Sequence, residues 1–155
     1  MAARIDLWLT LATRTLHPQQ PRFIYPHRLT MTSEIQQIET ALQHYFDGLY
    51  EGDTEKLARV FNRHASLFIE EEGALTALPV PQWFERVTSR PKPSSQNLTR
   101  ADRVLMVDLL GPVNAVVKVQ CQIPPKAYTD YLLLIKADGR WQIVAKAYCQ
   151  TPTLV

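Results

Sequence analysis

The chain has 155 residues, 46% hydrophobic and 21% charged, which sets the expectation of one globular domain large enough to bury its own core. The formal charge is +2, but Arg4, Arg14, Arg22 and Arg28 stand against Asp6 alone in residues 1–30, leaving −1 on residues 31–155. A folded part without a basic field argues against nucleic acid as a partner, and no apolar run reaches the length of a membrane span.

Residues 1–30 hold Pro18, Pro21, Pro26 and four arginines, with a short apolar patch from Ile5 to Leu11. Their composition differs from that of residues 31–155. Met31-Thr32-Ser33-Glu34 opens a helical pattern, and Met31 is a natural start. Residues 1–30 are therefore expected to be a non-native or disordered extension, and residues 31–155 the domain.

Ser33 with Gln36 fits a capping box. Ile35, Ile38, Leu42, Tyr45, Phe46 and Leu49 then recur at three- and four-residue spacing, one apolar face of a helix. Gly52 ends it, and Asp53 caps a second, short helix through Leu57, Val60 and Phe61. Ala65–Ile69 reads as a strand, Glu70-Glu71-Glu72-Gly73 as a turn and Ala74–Leu78 as the return. Pro81 opens a third helix with Trp83, Phe84 and Val87, and Arg90–Ser95 reads as a loop.

The remainder is strand-rich. Segments near 99–110, 113–123, 127–137 and 141–149 are separated by Gly111-Pro112, Pro124-Pro125 and Asp138-Gly139. The last is a type I′ hairpin signal. Helices followed by a meander give an α+β fold. With Asp138-Gly139 as the turn and regular alternation, Lys136 faces Trp141, Leu134 faces Ile143, Leu132 faces Ala145 and Asp130 faces Ala147. One sheet face then carries Asp130, Leu132, Leu134, Trp141 and Ile143. The other carries Tyr131, Leu133, Val144, Lys146 and Tyr148. Both are apolar, so helices are expected on one and a second subunit on the other. Cys121 and Cys149 fall on strands with another strand between them. No disulfide is expected, and two buried thiols suit a reducing, cytoplasmic setting.

The run Tyr45-Phe46-Asp47-Gly48-Leu49-Tyr50-Glu51-Gly52-Asp53, with Leu57 and Phe61–His64, and the run Asp130–Val144 through Asp138-Gly139-Arg140-Trp141 together resemble the nuclear transport factor 2-like (SnoaL-like) superfamily. Within it the chain is most similar to the "putative lumazine-binding" group, over about residues 33–149. The resemblance implies a cystatin-like cone, with three N-terminal helices packed on a curved antiparallel sheet and a pocket at the open end. It also implies frequent dimerisation through the sheet. The fold hosts unrelated activities, so function must be read from the site.

Aligned on ketosteroid isomerases, whose oxyanion hole uses a Tyr and a protonated Asp beside an Asp base, Tyr45 falls at the oxyanion Tyr. The base position falls at Ile69, with Glu70 one residue off, and the protonated acid at Leu133. Both carboxylates are missing from their positions. The same alignment directs the Tyr131, Leu133, Val144, Lys146, Tyr148 face into the pocket, with Tyr45 and Trp83 completing it and Lys146 as its polar anchor. Asp130 is then left on the dimer face, and a His64–Asp130 acid–base pair has nothing to bring it together. Glu70–Glu72 has no neighbouring His or Asp at metal-ligand spacing, and five glycines form no phosphate loop, so no metal or cofactor is expected. Three readings are open. The first is a binding domain for a small molecule, such as a lumazine- or flavin-like ring. The second is a cyclase, isomerase, dehydratase or hydrolase acting on a hydrophobic carbonyl compound. The third is a non-catalytic homodimeric interaction module.

Overall fold

The computed structural model describes residues 28–153. The expected extension, up to residue 27, lies outside them. Three helices, α1 (Arg28–Glu51), α2 (Thr54–Val60) and α3 (Val80–Ser89), pack on a six-stranded sheet. The strands are β1 (Phe61–Glu71), β2 (Ala74–Pro79), β3 (Arg103–Leu110), β4 (Asn114–Ile123), β5 (Lys126–Ala137) and β6 (Arg140–Pro152). The α+β class holds.

Helix α1 starts at Arg28, so Ser33 lies within the helix and the expected capping box does not form. Of its predicted apolar stripe, Ile38, Leu42, Tyr45, Phe46 and Leu49 are buried, and Ile35, nearer the helix start, is half-buried. Gly52 leaves α1 at φ +60°, a conformation glycine adopts without steric cost. The Asp53 carboxylate accepts the backbone N–H groups of Glu55 and Lys56 at 2.9 and 3.1 Å, capping α2. Phe61 begins β1 rather than ending α2, because its backbone is extended at φ −84°, ψ 137°.

The sheet order is β2-β1-β6-β5-β4-β3. Strands β3 to β6 form the antiparallel meander, and β1 joins β6 in parallel. The Asp138-Gly139 turn forms as predicted, with φ of 52° and 72°. A clamp seats α1 on this hairpin. Glu34 accepts Lys136 Nζ at 2.7 Å and Trp141 Nε1 at 2.9 Å.

The predicted register holds only next to the turn. Leu134 pairs with Ile143, but Leu133 pairs with Ala145, and Val144 is an unpaired bulge. One extra residue reverses the facing of everything beyond it. Lys146 therefore pairs with Leu132, and Tyr148 with Asp130. Both join Leu132, Leu134, Trp141 and Ile143 on the inner face against the helices. Tyr131 and Leu133 are turned outward and are 47% and 42% exposed.

Candidate functional site

Three polar side chains meet in the interior between α1 and the sheet. Tyr45 sits on the buried stripe of α1, Asp130 on β5 and Lys146 on β6. Asp130 and Tyr45 are fully buried, and Lys146 is 4% exposed. The Tyr45 hydroxyl donates to Asp130 Oδ2 at 2.6 Å. Lys146 Nζ donates to the Tyr45 oxygen at 2.8 Å and stands 3.0 Å from Asp130 Oδ2. Asp130 Oδ1 is buried without a hydrogen-bond partner among the described residues.

Lys146 Nζ is also ringed by aromatic faces. The ring centroids of Tyr148, Tyr45, Trp83 and Tyr128 lie at 4.9, 5.5, 5.8 and 6.0 Å. Such contacts help hold an ammonium group away from water. Burial, and then the neighbouring Asp130 charge, push the Tyr45 phenol well above its usual range, so it stays a neutral donor.

On the other side of Lys146 is a cavity of about 150 Å³. Its walls include Leu49, Trp83, Tyr128 and Tyr148, and its polar lining includes Lys146, Arg90 and Arg86. Arg86 is exposed and marks the rim. Arg90 donates to the Leu49 carbonyl at 3.3 Å, while its Nε is buried without an acceptor among the described residues. Burial lowers the Arg90 pKa and raises those of Tyr128 and Tyr148. It pushes the Cys121 thiol, also on the cavity wall, up to about 12. The shared cause is a low-dielectric chamber. Tyr148 also borders a polar groove of about 810 Å³ beside Glu70, Glu71 and Glu72.

Of the residues expected at the pocket, Tyr45, Trp83, Lys146 and Tyr148 come together. Tyr131 and Leu133 do not, because of the bulge, and Val144 is the bulge itself. Asp130, expected on a dimer face, is instead the carboxylate at the centre of the buried network. Its shared face with Leu132 and Leu134 is as expected, and only the direction of that face differs. His64 is exposed on β1 beside Arg63 and does not meet Asp130. Glu70 is exposed and accepts the Gly73 N–H in the turn, while Ile69 is buried. Cys121 is buried but Cys149 is exposed, and both are free. Arg90 and Tyr128 carried no sequence signal: one lies in a loop, and the other is a strand aromatic like several around it.

Among the described residues, no three His, Cys, Asp or Glu side chains converge as a metal site, and no helix is long and apolar enough to cross a membrane.

Comparisons with known proteins agree with this fold. The chain is 24% identical over 110 residues to the aldolase FrzH of Cladobotryum sp, covering 70% of this chain and 84% of that protein. An NTF2-like protein of unknown function from Shewanella baltica OS155 superposes with a TM-score of 0.71 at 23% identity, over 79% of this chain and 97% of that one. A ketosteroid isomerase-like protein from Erwinia carotovora atroseptica SCRI1043 gives a TM-score of 0.60 at 18% identity, over 77% and 98%. These likenesses establish the fold. The model of one family, described as "Putative lumazine-binding", matches residues 33–149, most of the chain. With that match over most of its length, and with a fold like that of NTF2-like and cystatin-like proteins, the chain belongs to the "Putative lumazine-binding" family.

Proposed function

We propose that the protein binds a compact carbonyl compound, with the carbonyl oxygen on Lys146 and the carbon skeleton against Trp83, Tyr128 and Tyr148. One observation carries this reading. An ammonium group has three N–H donors; Lys146 gives one to Tyr45 and stands 3.0 Å from Asp130 Oδ2, leaving at least one for a ligand in the cavity that Lys146 lines.

Volume limits the ligand. A dry cavity of about 150 Å³ holds benzene, and drug-sized ligands occupy about 300–1,000 Å³. One ring or a short chain fits. The second ring of a lumazine, or the second and third of a flavin, would have to pass Tyr148 into the groove beside Glu70. A thermal-shift series of one-ring carbonyl compounds, lumazine and riboflavin tests this. At a hundred times Kd a ligand stabilises by about 2.7 kcal/mol, roughly 5–10 °C for a chain of this size. The expected order is one ring above two, with riboflavin inert. No shift from any carbonyl compound defeats the reading.

A second reading, an enzyme acting on that carbonyl, is favoured by the buried Tyr45–Asp130–Lys146 network. The named activity of the aldolase relative is consistent with it. An enolate or alkoxide forming at the carbonyl oxygen would gain more from Lys146 than the neutral carbonyl does.

The outer sheet face supports the homodimer reading. Tyr131, Leu133, Ile135, Met106 and Leu110 are exposed there, a large apolar face for a monomer. Lys118 and Asp108 lie on the same face, where a two-fold axis can pair one with the other across an isologous contact. Light scattering should give a dimer, and Leu133→Glu a monomer. A wild-type monomer at tens of micromolar would end this reading.

A further inference from the structure

Lys146 is an unusual choice if its role is only to neutralise Asp130. Arginine is the residue suited to buried ion pairs, while lysine carries an amine that can become a nucleophile. A buried pair is no more stabilising than well-packed apolar side chains. Lys146 is also not packed on every side, because it borders a cavity open at the Arg86 rim. It has a ready proton acceptor. Asp130 Oδ2 lies 3.0 Å from Nζ, and the Tyr45 hydroxyl links the two groups at 2.8 and 2.6 Å. Asp130 Oδ1 has no competing partner among the described residues. On the same cavity wall, the Arg90 guanidinium keeps a buried Nε–H with no acceptor among them.

We infer that Lys146 forms an imine with the carbonyl carbon of a short 2-oxo acid whose carboxylate is held by Arg90. This rests on the carbonyl-pocket reading above. The chemistry balances within the site. Lys146 gives one ammonium proton to Asp130, directly or with Tyr45 relaying it. The amine lone pair forms the C–N bond as the carbonyl π pair moves to oxygen. That oxygen takes one proton from the nitrogen. Asp130 then returns its proton to the hydroxyl, which leaves as water while the nitrogen lone pair closes the C=N bond. The product is a protonated imine facing the restored Asp130 carboxylate, so the buried charge pair survives the step. An iminium at this carbon draws electrons from the adjacent C–C or C–H bond, which suits carbon–carbon bond making or breaking next to a carbonyl.

The cavity volume selects a small acid, so 2-oxobutyrate is the probe and 2-butanone, with methyl replacing the carboxylate, its neutral counterpart. The full-length protein is incubated with each, with and without sodium cyanoborohydride, and analysed by intact mass and peptide mapping. Calorimetry without the reductant measures binding separately. The expected result is a reduction-dependent gain equal to the mass of 2-oxobutyrate less one oxygen, confined to the Lys146 peptide. The yield should be at least tenfold above that of 2-butanone. Lys146→Arg keeps the charge and should give no adduct, and Arg90→Gln should lower the 2-oxobutyrate yield to the butanone level. The wild-type peptide map stands even if a variant does not fold. Calorimetric binding with no adduct at Lys146 overturns the imine and leaves the carbonyl pocket intact. Binding of one-ring carbonyl compounds but not of 2-oxobutyrate overturns the 2-oxo acid assignment alone. Equal yields from the two probes overturn the role of Arg90, and no binding of any carbonyl compound overturns the pocket reading itself.

Discussion

Replacing Lys146 by Met is the sharpest stability test of the site. Methionine keeps an unbranched apolar stem and removes the charge. Asp130, with no exposed surface, would keep the Tyr45 hydrogen bond at 2.6 Å and lose its only cation within 4 Å among the described residues. Breaking a buried pair from one side costs about 3–5 kcal/mol, a large share of a typical total of about 5–15 kcal/mol. The expected fall in Tm is on the order of 10 °C. Asp130→Asn in the same background removes the stranded charge but leaves an acceptor for Tyr45. The double variant should recover to within about 1–2 kcal/mol of wild type, a coupling of at least about 2 kcal/mol between the sites. Urea unfolding monitored by tryptophan fluorescence measures this, with m held constant across the set. If both single variants lose less than about 1 kcal/mol and their effects add, Lys146 and Asp130 are solvated. The desolvated anchor on which the pocket rests then does not exist.

Other parts of the molecule carry their own expected outcomes. Exposed Cys149 should react with a thiol reagent in the native protein, while buried Cys121 should react only after unfolding. Two equally fast thiols would contradict the burial pattern. Because burial lifts Cys121 from 9.0 to about 12, the unfolded chain releases this proton first as pH rises. Stability should therefore fall between those values, by roughly 4 kcal/mol at most, and Cys121→Ala should flatten that decline. Glu34→Gln should cost about 1–2 kcal/mol at pH 7. The Lys136 hydrogen bond holds the Glu34 carboxyl below its ordinary 4.5, so this contribution is present above that value and lost as pH falls through the lowered one. The gap between wild type and variant should close in acid, and a gap that persists there would contradict the ion-pair account. Gly48→Ala would place its Cβ 2.7 Å from Leu57 Cγ and 3.0 Å from the Asp53 carbonyl. It should cost about 1–3 kcal/mol, and a neutral result in urea unfolding would mean that α1 and α2 are less tightly joined.

Much of this is legible in the chain. The stripe from Ile38 to Leu49, the Gly52-Asp53 helix break, the three strand separators and the I′ turn are local signals, written in periods of 3.6 and 2 and in residues that tolerate positive φ. They give the element order and, with the superfamily resemblance, the fold. The resemblance also groups Tyr45, Trp83, Lys146 and Tyr148 at the pocket, although it joins Lys146 and Tyr148 to the wrong strand neighbours.

What the chain could not declare was the bulge at Val144. Nothing in Ile143-Val144-Ala145 marks the extra residue, because all three suit a buried strand and a shift of one position exchanges one apolar side chain for another. That shift is decided by how β6 lies between β5 and the parallel β1, a long-range constraint with no local trace. It turns Lys146 and Tyr148 to the face that carries Asp130, beside Tyr45, and away from the face of Tyr131 and Leu133, so that the cavity is bordered by Lys146 and by Arg90 from a distant loop. Local sequence thus determined which elements form and where they end. The meeting of one amine, one carboxylate and one phenol in a dry interior depended on sheet register, which only packing of the whole chain sets.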